Sequence, residues 1–176
     1  ATTGMISREL FELREHQHAG HANDFLTVGG MGHASQIALT IALQHPEQRI
    51  WCLDGDGAVL MHMGGMAIIA NSEANNLVHV VLNNGAHDSV GGQPTVGLSI
   101  DIAKIASAMG YKQTYTVTSN TELTKVLNQI KEASGPILIN ILVRKGNRPD
   151  LGRPTTTPIQ NKQAFMAQIN KKEDEA

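Results

Sequence analysis

The chain has 176 residues, 41% of them apolar and 3% aromatic, and a formal net charge of −2. That is the size of one domain, for which roughly 100–200 residues is usual, and its core must be filled by Val, Ile, Leu, Ala and Met. The near-neutral charge removes any electrostatic case for nucleic acid or an anionic membrane, and no apolar run approaches the roughly 20 residues needed to span a bilayer.

The N-terminus carries no charged and apolar leader of the secretory kind. A single cysteine, Cys52, excludes a disulfide framework within the chain. It reads as a core residue, and a cytoplasmic setting is expected. The opening "ATTG" reads as the end of a strand. A domain cut from a longer chain would begin this way, and so would a processed terminus.

In chain order, Ser7 is placed to cap a helix running through Glu9, Leu10, Phe11 and Leu13. "HQHAGHAND" is a polar loop, and "FLTVGG" from Phe25 predicts a short strand ending at glycine. "GHASQIALTIALQ" predicts a helix with Ala34, Ile37, Ala38 and Ile41 on one face. "RIWCLD" (Arg49 to Asp54) predicts a buried strand and "MGGMAIIANSEA" a helix. "LVHVVLNN" (Leu77 to Asn84) predicts a strand rich in β-branched residues. A glycine-rich loop spans Asn84 to Gly97, and "DIAKIASAMG" is a helix closed by Gly110. "YKQTYTV" is a strand, and "SNTELTKVLNQIKEASG" a helix capped by Ser119 or Asn120 and ended by Gly135. "PILINILV" is a last buried strand, "RKGNRPDLGRPTTTP" an extended tail, and "IQNKQAFMAQINKKEDEA" a short helix fraying into charge.

Strands alternating with helices at single-crossover spacing require a mostly parallel sheet covered on both faces. The expected fold is therefore α/β, a three-layer α/β/α sandwich with a doubly wound sheet. Ligands in such sheets bind at the carboxyl ends of the strands. "VGGMG", "LDGDG" and "LNNGAH" all fall at strand ends, so one rim gathers the polar and glycine-rich turns.

Asp56 is flanked by Gly55 and Gly57, and 25 residues separate Gly57 from the pair Asn83–Asn84. A carboxylate and an amide oxygen are hard ligands suited to Mg²⁺. The glycines let backbone N–H groups approach a phosphate, and the helix that follows turns its positive end to the same place. Read alone, each cluster is an ordinary strand-end turn. At this spacing the pair places Asp56 and Asn84 on neighbouring strand ends, where Mg²⁺ and a diphosphate would complete an octahedron.

Gly-Asp-Gly followed at this spacing by Asn-Asn matches the thiamine-diphosphate motif. Together "FLTVGGMGHASQIALTIAL", "CLDGDGAVLMHMGGMA", "LNNGAHDSVGGQPT" and "KGNRPDLGRPTTTP" resemble the C-terminal, diphosphate-binding domain of phosphonopyruvate decarboxylases over most of the chain. Sulfopyruvate decarboxylase β subunits share the "S-x-GGQPT" type of loop, usually without His87 and Asp88. The resemblance implies a thiamine-diphosphate- and Mg²⁺-dependent decarboxylase converting 3-phosphonopyruvate to phosphonoacetaldehyde and CO₂.

By position, the resemblance makes Asp56, Asn84 and the carbonyl of Ala86 the metal ligands, with Gly55 beside them. Gly57 and Ala58 would give N–H groups to diphosphate; Ala58 stands where many relatives carry Ser. The Gly29 carbonyl would accept from the pyrimidine amino group, Met31 would prop the bent cofactor, and Thr3 and Gly4 would line the diphosphate pocket. His33, His87 and Asp88 are candidates for proton transfer or substrate contact. Ser35 and Gln36, close to His33, would reach the rim or pack the helix start.

The resemblance also implies a glutamate that activates the cofactor from a separate pyrimidine-binding domain. No segment here reads as that domain. Residues 1–176 are thus expected to be one diphosphate-binding domain with an extended tail from about 144. The domain is inactive until a pyrimidine-binding partner joins it, whether the N-terminal part of the same chain or an α subunit, and a homo-oligomer is expected. Two rival readings are a sulfopyruvate decarboxylase β subunit and a non-catalytic homologue of the cofactor domain. A plain nucleotide-binding module is a further reading, but no Gly-x-Gly-x-x-Gly follows the first strand here.

His16, His18 and His21 suggest a metal cluster but lack ligand spacing. His62 and His79 read as structural. Arg144, Lys145, Arg148 and Arg153 form a basic tail that either holds a phosphonate or docks on its own domain.

Overall fold

A computed structural model describes residues 1–171. Six strands and seven α-helices follow in chain order: α1 (Met5–His16), α2 (Ala34–Gln44), β1 (Ile50–Gly55), α3 (Asp56–Met61), α4 (Gly64–Ala70), β2 (Leu77–Asn83), β3 (Ala86–His87), β4 (Gln93–Pro94), α5 (Ile102–Met109), β5 (Gln113–Val117), α6 (Asn120–Gln129), β6 (Ile137–Leu142) and α7 (Pro158–Asn170). A parallel sheet runs in the order β1-β2-β6-β5, as the alternation of elements requires. β3 and β4 form a separate two-stranded ribbon.

Leu77, Val78, Val81, Ile137, Leu138 and Ile139 are fully buried, because the central strands are covered on both faces. On one face Cys52, Leu77, Val81 and Leu138 pack with Ala38 and Ala42 of α2, Met66 and Ile69 of α4, and Ile102 and Ala106 of α5. The alanines let the helices lie close to the sheet. On the other face Val78, Val80, Ile137 and Ile139 meet Val126 and Ile130 at α6. The molecule is thus the expected three-layer α/β sandwich.

Capping explains several boundaries. Asp101 accepts from Lys104 N and opens α5, and Gly110, at φ 109°, closes it. Ser119 accepts from Glu122 N at α6, and Thr157 forms a capping box with Gln160 at α7.

Four expectations are corrected. Ser7 is not a cap: Gly4 holds that position, and the buried Ser7 hydroxyl donates to the Thr2 carbonyl at 2.6 Å. The α6 helix stops at Gln129, well before Gly135, and Arg49 donates to the carbonyls of its C-cap residue Ile130 (3.1 Å) and of Ala133 beyond it (2.8 Å), which holds the segment after the helix in a non-helical path. Residues 25–27 are extended without forming a regular strand. They still continue the sheet edge, since Ala1 N donates to Phe25 O, Thr27 N to Ala1 O and Thr2 N to Leu53 O. The loop from Asn84 to Gly97 is not wholly irregular, because it holds the β3–β4 ribbon and a 3-10 turn at Asp88–Val90.

No helix among the described residues is long and apolar enough to cross a membrane. The charged end of the predicted C-terminal helix, residues 172–176, lies outside the described residues.

Candidate functional site

β1 and β2 are parallel neighbours, with Gly55 opposite Leu82. Asp56 and Asn84 therefore leave the same edge of the sheet. Both line a cavity of about 510 Å³, together with Gly55, Gly57, Ala58 and Ala86. Thr3, Met31, His87 and Asp88 line it too.

Asp56 is 1% exposed and begins α3. A buried carboxylate requires compensating partners. The Thr95 hydroxyl donates to its Oδ2, and its other oxygen takes no hydrogen bond among the described residues. Gly97 closes over the same group: a Cβ there would lie 2.5 Å from Asp56 Oδ2 and 2.8 Å from Asn83 Oδ1.

The two asparagines divide their work. Asn83 is fully buried, donates to the Gly97 carbonyl at 2.7 Å and accepts from Gly85 N at 3.2 Å. It fixes the loop. Asn84 accepts from Ala86 N at 2.9 Å and donates to Asp88 Oδ2 at 2.7 Å. Its amide oxygen, one lone pair of which takes Ala86 N, has a second to offer, and Asn84 lines the cavity.

His87 packs directly on Gly57, where any Cβ would overlap its Nδ1. That buried nitrogen has no hydrogen-bond partner, so an uncommitted polar atom faces the glycine of the acidic turn. Asp88 is committed: its Oδ2 takes both Asn84 Nδ2 and Gly146 N, each at 2.7 Å. It ties the loop to the C-terminal tail.

Gly4 and Gly29 line a neighbouring cavity of about 550 Å³ that shares Thr3, Met5, Met31 and Ser89 with the first. Gly29 and Gly30 have φ of 78° and 61°, a region open to glycine at little cost. The Gly29 N–H donates to Thr3 Oγ1 at 3.1 Å.

The structure does not bring His33 to either cavity. It is exposed, accompanies His62 with ring centroids 5.0 Å apart, and is held to the Gly30 carbonyl. Gln36 packs inward, donating to the Gly65 carbonyl at 3.0 Å, and Ser35 is buried. His21 stacks on Phe11 at 4.0 Å and pairs with Glu15, which takes it out of the proposed histidine cluster.

Three features escaped the sequence reading. Thr95 on Asp56 and Asn83 on Gly97 join segments whose separation carries no periodic signal. The third is a buried polar trio in the core, with ligand-type atoms of Cys52, Asp54 and His79 all within 4.8 Å of one another. The His79 ring lies between Asp54 (3.4 Å) and the Tyr111 hydroxyl (3.1 Å). Burial pushes the Cys52 thiol and the Tyr111 phenol well up, so both stay protonated inside.

Residues 2–141 match the family model described as thiamine pyrophosphate enzyme, C-terminal TPP binding domain. The chain belongs to that family. It is 39% identical to a phosphonopyruvate decarboxylase of Streptomyces viridochromogenes over 168 residues, covering 95% of this chain and 41% of the relative. It is 33% identical over 144 residues to a sulfopyruvate decarboxylase subunit beta of Methanothermobacter thermautotrophicus, covering 82% of this chain and 72% of the relative. A crystal structure from Mycobacterium smegmatis, described as a thiamin diphosphate-dependent enzyme, aligns at a TM-score of 0.56 and 26% identity. That alignment covers 67% of this chain and 23% of the other. The chain thus spans about two fifths of the length of the phosphonopyruvate decarboxylase it matches.

Proposed function

We propose that this chain is the diphosphate-binding part of a thiamine-diphosphate- and Mg²⁺-dependent decarboxylase that converts 3-phosphonopyruvate to phosphonoacetaldehyde and CO₂. The observation that carries the reading is the convergence of Asp56, Asn84 and Ala86 on one cavity at adjacent parallel strand ends.

The residues suit the group. A buried acid with one oxygen uncommitted, an amide oxygen and a backbone carbonyl form a hard-oxygen donor set of the kind Mg²⁺ takes. The missing Cβ atoms at Gly57 and Gly97 let His87 on one side, and Asp56 with Asn83 on the other, pack against the backbone of the site. When bound, thiamine diphosphate supplies the electron sink that lets a 2-oxo acid lose CO₂. Asp56, Asn84 and Ala86 would anchor the metal, Gly55, Gly57 and Ala58 the diphosphate, and Thr3, Gly4, Gly29 and Met31 the body of the cofactor. His87, with its uncommitted Nδ1, is the residue of this chain placed to hold or move a proton. Asp88 positions Asn84 and the tail, and His33 has no part in the cavity.

Residues 1–176 would form one domain with a tail from about 144. The activating glutamate would come from a pyrimidine-binding domain of the same chain or of an α subunit. Val28, Val90 and Leu98 are 60–73% exposed around the rim, which suits a face covered by that partner, in a homo-oligomer. The 33% identity to a sulfopyruvate decarboxylase subunit beta, covering 72% of its length, favours a second reading with sulfopyruvate as substrate.

The test uses the full protein that carries this chain, with its pyrimidine-binding partner, Mg²⁺ and thiamine diphosphate. Turnover of phosphonopyruvate in preference to sulfopyruvate is expected, and the reverse preference selects the second reading. Asp56→Asn keeps the shape and removes the charge. It should weaken Mg²⁺-dependent cofactor binding by at least the roughly 10–100-fold that loss of an outer-shell partner costs a metal site. Unchanged cofactor affinity in that variant removes Asp56 from the site.

A further inference from the structure

The cavity of about 550 Å³ beside the candidate metal site contains two charged side chains, Arg8 and Arg153, and no carboxylate. That is unusual in a chain of net charge −2, because arginines on a mixed surface normally meet acids.

The chain has six arginines. Three are occupied. Arg14 makes a two-pronged pair with Asp24 at 2.7 and 3.0 Å. Arg49 serves the carbonyls at the end of α6. Arg148 pairs with Glu12 and with Glu9. Of the remaining three, Arg8 makes only a weak contact with Met5 Sδ at 3.7 Å, and Arg144 and Arg153 make no hydrogen bond or ion pair among the described residues. All three line one or other of the two joined cavities. The basic tail therefore divides by function. Arg148 docks it, and Arg153 is presented to a cavity.

The docking holds Arg153 in place from both sides. Glu12 accepts from Gly152 N as well as from Arg148, and these contacts hold its carboxyl below the usual range. Beyond Arg153, Thr157 caps α7, and the buried Asn161 donates to Asp24 O at 2.8 Å and accepts from Leu26 N at 2.9 Å. These contacts on each side fix where the backbone presents Arg153, and preorganisation of this kind favours binding. Guanidinium groups match tetrahedral oxyanions through paired N–H donors.

We infer that Arg8 and Arg153 form the subsite that binds the tetrahedral oxyanion head group, phosphonate or sulfonate, of the 2-oxo acid substrate. This rests on the decarboxylase reading above. It gives the C-terminal tail a task in substrate selection. It also explains why the cavity adjoins Met31 and Thr3, next to the candidate cofactor site, while lying apart from Asp56 and Asn84.

The test compares Arg8→Gln and Arg153→Gln with the parent in the full protein with its partner domain. The expected result is a rise of about 10-fold or more in KM for phosphonopyruvate in each variant, since each loses charge-assisted hydrogen bonds to the oxyanion. The kcat/KM preference for phosphonopyruvate over pyruvate should fall by the same factor, with the dissociation constant for thiamine diphosphate unmoved. Arg153→Lys should restore part of the preference. An unchanged KM overturns the inference. A parallel loss of cofactor affinity also overturns it and assigns the arginines to the diphosphate. If the parent turns over neither oxo acid, the decarboxylase reading fails. The subsite is then tested directly, by titrating the protein with methylphosphonate and following the arginine Nε–H signals by NMR. Saturable shifts at Arg8 and Arg153 support an oxyanion subsite, and their absence removes it.

Discussion

Gly97 shows how closely the candidate site is built. A Cβ there would lie 2.5 Å from Asp56 Oδ2 and 2.8 Å from Asn83 Oδ1, closer than real side-chain carbons approach. Both neighbours are buried and hydrogen-bonded, so neither can swing away freely. Gly97→Ala should destabilise the fold by about 1–3 kcal/mol, the usual range for overpacking, and weaken Mg²⁺-dependent cofactor binding in the same variant. Urea unfolding and calorimetric titration would read the two effects. Gly64→Ala is the control: its Cβ would meet nothing within 4 Å, and it opens α4, so stability should hold or rise slightly. Equal loss in both variants would mean that crowding at Asp56 is not the cause. The sequence made Asp56 and Asn84 legible because strand–helix–strand spacing fixes where two turns emerge. It could not show Thr95 on Asp56, or Asn83 holding the Gly97 carbonyl. Those facts depend on how a loop folds back, and no periodicity encodes that.

At the level of elements, α7 and the tail are held to the body by few but specific contacts. Asn161 is 5% exposed and bridges Asp24 O and Leu26 N, the segment leading to Gly29. Asn161→Leu keeps the volume and removes both bonds, leaving a buried N–H and a carbonyl without partners. Each such orphan costs about 1–3 kcal/mol. The expected outcome is faster amide exchange across Pro158–Asn170 and Asp24–Leu26, with α5 and α6 unaffected. Protection lost evenly over the chain would show that α7 unfolds only with the whole. The same contrast explains what the sequence revealed of the elements. Helices α5 and α6 were legible at their starts because Asp101 and Ser119 cap locally. The end of α6 was not, because Arg49 reaches it from about 80 residues away. Ser7 looked like a cap by residue type, yet its hydroxyl is taken by the Thr2 carbonyl. Residues 25–27 looked like a strand and instead extend an edge through isolated bonds.

For the whole molecule, the sheet layer facing α2, α4 and α5 combines an apolar core with Cys52, Asp54, His79 and Tyr111. Cys52 and His79 lie in the core, opposite each other in register, as the sequence led one to expect of each alone. The network they form appears only when β1, β2 and the end of α5 are assembled. It has a consequence for stability at high pH. Burial raises the Cys52 thiol above its ordinary 9.0 and the Tyr111 phenol above its ordinary 10.0. The folded state keeps both protons in the range where the unfolded chain releases them. Stability rises with pH only where the unfolded state binds more protons. Here the folded state binds more, so stability falls as pH climbs past 9. Each group contributes a slope of about 1.4 kcal/mol per pH unit above its unfolded value. Denaturant unfolding between pH 7 and 10.5 should therefore show a decline that begins near 9 and steepens near 10. Cys52→Ala should remove the earlier part of the decline at the cost of a small cavity, and the later part should persist. If the decline begins near 9 in both proteins, the thiol is not its source, and Cys52 must be reachable by water in the folded state. Alkylation of the single cysteine provides an independent reading. With the thiol buried and protonated, labelling at pH 8 should proceed only at the rate of unfolding.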